Sequence, residues 1–111
     1  MKRSFARSLL ILLCVNLTFS QNIAEAEKKI SQAVESRSYD TALTELLNLR
    51  TSDVAAFNTK DHDYLLARMA ESTGDLALAM STYRTVADRN SPLKPYALKH
   101  LAQIARSTGN L

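Results

Sequence analysis

From Ile23 onward the apolar residues of this chain recur at steps of three and four, and no segment sustains strict alternation of apolar and polar residues. Ile23, Ala26, Ile30, Ala33 and Val34 form one such stripe, and Tyr39, Ala42, Leu43, Leu46 and Leu47 form a second. Leu76, Ala79, Met80, Tyr83, Val86 and Ala87 form another, and Leu98, Leu101, Ala102 and Ala105 the last. Residues at this period fall on one face of a helix, whereas a half-buried strand would need a period of two. Tyr64, Leu65, Leu66, Met69 and Ala70 cover a broader face, which predicts a helix buried on two sides. The fold class is therefore all-α, with five predicted helices of about 11 to 15 residues each.

The breaks between the stripes have their own chemistry. Gly74 and Gly109 each follow a helical run and suit the left-handed residue that closes a helix. Asp75 and Asn110 come next, placed to cap a following helix. Pro92 and Pro95 interrupt "DRNSPLKPY", where Ser91 is the candidate N-cap. The stretch "TSDVAAFNTKDHD" reads as a longer connector with a short turn around Val54 to Phe57. Tight and longer connections alternate, so each helical hairpin leaves part of its apolar face to the next one, which is how a solenoid is built. "STGDL" from Ser72 and "STGNL" from Ser107 recur 35 residues apart, the length of one hairpin plus one connector. The second copy ends on Leu111, the residue that would open a new stripe, and predicts a continuation beyond this chain.

The front of the chain reads differently. Lys2, Arg3 and Arg7 precede the apolar run Leu9 to Phe19, which is too short for the roughly 20 residues of a bilayer span. Such a basic segment followed by an apolar one predicts a secretory signal peptide. Cleavage fits after Ser20 or after Ala26, and the later cut would remove the start of the first predicted helix. Residues 1–20 are thus the expected signal and 21–111 the expected helical domain. Cys14 is the only cysteine. Leu13 stands before it, where a lipoprotein signal needs a small residue, so loss of Cys14 with the signal is the expected outcome. The mature chain then has neither disulfide nor thiolate chemistry. It also has no membrane span.

The formal charge of +3 changes meaning once the signal is set aside. Beyond Ser20 the chain carries 11 basic and 11 acidic residues, with no basic stripe to follow a phosphate backbone. Nucleic acid is not an expected partner.

Gly74, Ala79, Tyr83 and Pro92 resemble the turn glycine, small residue, large aromatic and closing proline of a tetratricopeptide repeat, whose period is about 34 residues. Leu66, Ala67 and Ala70 sit where that family places leucine, a small residue and an apolar one. Asp63 stands where its tryptophan is commonest, and Arg37 replaces the turn glycine of the preceding repeat. With Gly109 closing a half-repeat, the resemblance spans about Ile23 to Leu111. The succession "YDTALTEL", "DYLLARMAESTGDLALAMSTYRTV" and "YALKHLAQIARSTGNL" is also similar to the N-terminal helical region of bacterial soluble lytic murein transglycosylases. This resemblance implies an exported bacterial protein, periplasmic or extracellular, whose helical part is a non-catalytic scaffold. Its implied partners are a downstream catalytic domain of the same polypeptide, another envelope protein, or peptidoglycan glycan strands. A self-contained periplasmic adaptor is the alternative.

No residue pattern points to catalysis, and neither a cofactor nor a metal is expected. Glu71-Ser72 resembles the start of the transglycosylase catalytic motif, but no glycine-rich continuation follows, so Glu71 is expected to be a solvated carboxylate at a helix end. "KDHDY" at Lys60 to Tyr64 places carboxylates and an imidazole at adjacent positions that splay apart, and a helix cap at Asp61 or Asp63 explains it more simply than a metal. His100 is expected at a helix edge. Tyr39, Tyr64, Tyr83 and Tyr96 could stack on sugars, although three of them fall on or beside packing stripes and are expected in the core with their hydroxyls at its rim.

Overall fold

The computed structural model describes residues 22–109, and among these it contains helices and no strands. The expected signal segment, Ser20 included, and the expected cap Asn110 lie outside the described residues. In chain order the helices are α1 (22–35), α2 (Tyr39–Ser52), α3 (Val54–Thr59), α4 (His62–Thr73), α5 (Leu76–Asp88) and α6 (Lys94–Thr108). Ala26 lies within α1, partly buried against the first core cluster.

The described residues thus hold six helices where the sequence predicts five. The extra one is α3, which replaces the expected turn at Val54 to Phe57. Asp53 starts it by accepting the Ala56 N–H at 3.1 Å, and Phe57, 2% exposed, anchors it to the core. Capping and one buried aromatic hold a helix of six residues that periodicity could not reveal.

Two core clusters meet at α4. Leu66 and Met69 face Ile30, Ala33, Ala42, Leu46, Leu49 and Phe57 of the first three helices. Ala67 and Ala70 belong with Ala79, Tyr83, Val86, Ala97 and Ile104 of α5 and α6. The helix with the broad apolar face is indeed buried on two sides. The packing stays between elements close in the chain: α4 lies against α2, α3 and α5, and α5 against α6.

The tight connections share one geometry. At the α4–α5 turn the Asp75 N–H donates to the Ala70 carbonyl at 2.9 Å, and the Gly74 N–H to Glu71 at 3.2 Å. At the α1–α2 turn the Ser38 N–H donates to Ala33 at 2.8 Å, and the Arg37 N–H to Val34 at 3.1 Å. Both are the paired bonds of a Schellman motif. The middle residue is left-handed in each, Gly74 at φ 87° and Arg37 at φ 60°. Gly109 closes α6 in the same region, at φ 74°. Asp75 caps α5 as expected, accepting the Leu78 N–H at 3.2 Å.

Two expectations about α6 need correction. Ser91 is not its N-cap; Leu93 occupies that position, and Pro95 lies in the first turn, where its missing N–H costs nothing. The buried face is also different. Ala97 and Ile104 are enclosed, while Leu98 is 47% exposed and Ala102 is exposed. Ala97 and Ile104 lie two turns apart, and the small Ala97 lets α6 come close to α5.

Candidate recognition groove

The residues that sequence reading grouped as "KDHDY" are split among different neighbours. Asp63, in the first turn of α4, is 1% exposed, and its Oδ1 accepts the Tyr64 N–H at 2.9 Å. Arg89, just past α5, grips it as a fork: Nη2 donates to Oδ1 at 2.8 Å and to Oδ2 at 3.0 Å, and Nε donates to Oδ2 at 3.1 Å. The same Nη2 reaches Oδ1 of Asp61 at 3.0 Å, an atom that also accepts the Ser91 hydroxyl at 2.9 Å. Ser91 in turn accepts the Leu93 N–H at 3.1 Å. Neither aspartate side chain caps α4; Asp61 takes the N-cap position in a left-handed conformation. The cluster is a knot that joins the start of α4, the end of α5 and the start of α6. Burial of the Arg89 guanidinium alone would lower its pKa, but the hydrogen bonds to Asp63 and Asp61 outweigh this and raise it.

A second cluster lies where α4, α5 and α6 meet. Tyr83 is wholly buried and its hydroxyl donates to Oε1 of Glu71 at 2.7 Å. His100 stacks on the Tyr83 ring at 5.0 Å and 7°, with its Nδ1 2.9 Å from the same carboxylate oxygen. That approach is not aligned as a hydrogen bond, and the buried Nδ1 has no hydrogen-bond partner. Tyr64 meets both rings edge-on. Glu71 is therefore engaged by Tyr83 and His100 instead of solvated, and His100 packs against the Tyr83 ring between helices instead of lying at an edge. Burial first, and the bond to Glu71 second, push the Tyr83 phenol well above its ordinary range. Tyr39 and Tyr64 are partly buried, whereas Tyr96 is 58% exposed.

Between the end of α2, α3 and α5 a groove of about 310 Å³ opens, lined by Arg50, Val54, Asn58, Asp63, Ser81, Thr82 and Thr85. Its volume is at the lower end of small-molecule sites. Asp63 contributes to the wall, but Arg89 already holds both of its oxygens. Arg50, in the last turn of α2, is half-buried, and no described carboxylate lies within ion-pair distance of it. The hydroxyls of Ser81 and Thr82 donate to the Leu78 carbonyl at 3.1 and 2.7 Å, and that of Thr85 to the Ser81 carbonyl at 3.2 Å. Their protons are committed to the α5 backbone, so their lone pairs are left for acceptance.

Chemically this groove holds one guanidinium, one carboxamide, three accepting hydroxyls and an exposed Val54. Such a set suits binding; its only carboxylate is already paired. Sequence reading missed Arg50, Asn58, Ser81, Thr82 and Thr85, and the one visible hint was three hydroxyl residues within a single turn of a helix. Of the residues singled out from sequence, Leu66, Ala67, Ala79 and Tyr83 are fully enclosed, Gly74 and Gly109 sit in left-handed turns, and Pro92 is exposed. None of these seven lines the groove. Comparison of the chain with protein-family models, curated proteins and solved structures gave no match.

Proposed function

We propose that this chain is a non-catalytic scaffold and recognition module, an α-solenoid of tetratricopeptide type belonging to an exported bacterial protein. The observation that carries this reading is the recurrence of one hairpin design. Arg37 and Gly74 close their helices with the same paired bonds and the same left-handed residue, and the next helix then packs on the face left open. The shared helix α4, with a core cluster on each side, supports stacking of successive hairpins.

Within that class, the ordering of helix patterns supports the N-terminal region of a peptidoglycan lytic transglycosylase, in which the helices position a glycan strand for a separate catalytic domain. A periplasmic adaptor that binds other proteins is the second reading, favoured by a groove whose guanidinium lacks a described carboxylate partner. In either case the chain itself cleaves nothing. Purified chain incubated with purified peptidoglycan should release no soluble muropeptides, and release above a buffer control would overturn the non-catalytic reading. Export is tested by fractionating a Gram-negative host that expresses the full chain. Mature protein in the periplasm should begin at Gln21 or Glu27; full-length protein confined to the cytoplasm would refute export.

A further inference from the structure

We propose that the open face of α6 docks an acidic amphipathic helix of a separate polypeptide, seated on Leu98, Ala102 and Ala105 and bordered by Lys94, Lys99 and Arg106. The inference rests on the scaffold reading above and gives the scaffold a protein partner on a surface that contributes nothing to the groove.

Helix α4 shows what such a face is built to meet. Asp63, Leu66, Ala67 and Ala70 recur 35 residues later as Leu98, Leu101, Ala102 and Ala105, the spacing that also separates the two STG turns. In α4 the two alanines are 0% exposed, inside the cluster shared with α5 and α6. Their counterparts in α6 lack that cover: Ala102 is exposed, Ala105 is half-buried, and Leu98 beside them is 47% exposed. Leu101 alone of the four packs against the second core cluster. At 3.6 residues per turn, the middle of the enclosed pair Ala97 and Ile104 lies about a third of a turn from the middle of Leu98, Ala102 and Ala105. Like α4, then, α6 carries two apolar faces, and among the described residues only one of them is covered.

The residues on and beside the open face decide between occupants. One leucine and two alanines offer little to insert into a lipid surface, but they let a second helix come close, as Ala67 and Ala70 do. The charges of α6 are Lys94, Lys99 and Arg106, with no acidic residue, and no described carboxylate lies within ion-pair distance of them. On the helical wheel Lys94 flanks the stripe on one side, and Lys99 and Arg106 flank it on the other. A second copy of α6 laid on this face would add three cations and no anion, so the charges oppose self-pairing. A helix with leucine and alanine on one face and glutamate along both borders answers each charge. Border charges of one sign speed the encounter of separate molecules, a help that helices joined by a short turn do not need. The cluster that α4, α5 and α6 share inside this chain is accordingly apolar, built on Ala67, Ala79, Tyr83, Val86 and Ile104.

The test uses the full mature chain and a cross-linked helical peptide of about four turns as probe, with leucine and alanine at steps of three and four and glutamate elsewhere. Amide chemical shifts in an NMR titration follow the binding. A Kd of about 0.1 mM is expected at low salt, weakening severalfold in about 0.5 M salt. Shifts should centre on Leu98 to Arg106. The same probe with lysine in place of glutamate should bind at least about tenfold more weakly, as should the glutamate probe on Leu98→Gln. The double variant Lys99→Glu, Arg106→Glu should reverse the preference between the two probes. These three side chains are exposed, so unchanged circular dichroism and melting will show that folding is intact.

Absence of shifts at about 2 mM glutamate probe, some twenty times the expected Kd, would overturn the proposal. So would equal affinity for the lysine probe, or shifts centred away from α6. Concentration-dependent dimers that Leu98→Gln abolishes would assign the face to a second copy and overturn the proposal. Sedimentation of the chain with phosphatidylglycerol vesicles, lost in Leu98→Gln and without probe shifts, would overturn it in favour of a lipid surface. Each of these failures leaves the muropeptide and fractionation assays untouched, so the docking face and the scaffold reading fall separately.

Discussion

The turn residues Arg37 and Gly74 allow a sharp test, because the same backbone geometry is occupied by an ill-suited residue in one case and the best-suited one in the other. Both sit at positive φ in turns with the same hydrogen bonds. A side chain in that region brings its Cβ against the following carbonyl, at roughly 1–2 kcal/mol. A Cβ placed on Gly74 would meet no atom within 4 Å, so packing adds nothing to the cost of Gly74→Ala. Alanine restricts the unfolded chain more than glycine does, which returns about 0.4–1 kcal/mol. The net expectation for Gly74→Ala is a loss of about 1 kcal/mol. Arg37→Gly reverses both contributions and should gain about as much. In a domain of this size 1 kcal/mol moves Tm by about 4–8 °C. Thermal melts of the two variants and the double variant, followed by helical circular dichroism, should show a fall, a rise and near cancellation. If Gly74→Ala and Arg37→Gly shift Tm in the same direction, the two turns are not energetically equivalent and the argument from shared geometry fails.

Three other substitutions probe the packing. Arg89→Met strands a carboxylate that is 1% exposed and should destabilise by about 3 kcal/mol, the lower end for breaking a buried pair because Arg89 keeps some solvent contact; pairing it with Asp63→Leu should recover much of the loss, and urea titration that finds the single variant neutral would contradict the knot. Tyr83 keeps its proton in the folded state to a higher pH than in the unfolded chain, so stability should fall as pH rises above about 10, by up to about 1.4 kcal/mol per pH unit, and Tyr83→Phe should remove that share of the slope in alkaline urea titrations. Ala79→Leu should cost about 1–3 kcal/mol by forcing α4 and α5 apart, while Ala77→Leu, two residues away on the exposed side of α5, should stay within about 0.5 kcal/mol; equal effects in chemical denaturation would show that small residues do not set the helix spacing.

What could be read from sequence was whatever depends on near neighbours. The helical period located α2, α4 and α5 and the two-sided burial of α4, because steps of three and four residues are a property of one helix. Gly74 and Asp75 were legible for the same reason. Arg37 was noticed as a departure from glycine, but a side chain at that place gives no sign that the backbone still turns left-handed; the paired bonds from Arg37 and Ser38 impose it. In α6 the period was present, yet alanines and leucines are spread around enough of the helix that two faces compete, and contact with α5 chooses Ala97 and Ile104. Asp63 and Arg89 are 26 residues apart, and nothing local to either announces the other. The groove was least legible of all, because its walls come from four helices and its key property is what Arg50 does not touch among the described residues.

The knot and the groove are linked through Asp63. That carboxylate lines the groove while its oxygens are bound by Arg89, which is anchored in turn to Asp61 beside Ser91. Without Arg89 the groove that Arg50 also lines would present an unpaired negative charge in its wall. The fork that fastens α4, α5 and α6 therefore also fixes the sign of the groove. It does so by occupying Asp63 completely rather than by contacting a ligand. Asp63, where the resemblance would place tryptophan, has a physical reason to stand there: the buried acid recruits Arg89, and the two are bound to each other while Arg50 has no described carboxylate in ion-pair range.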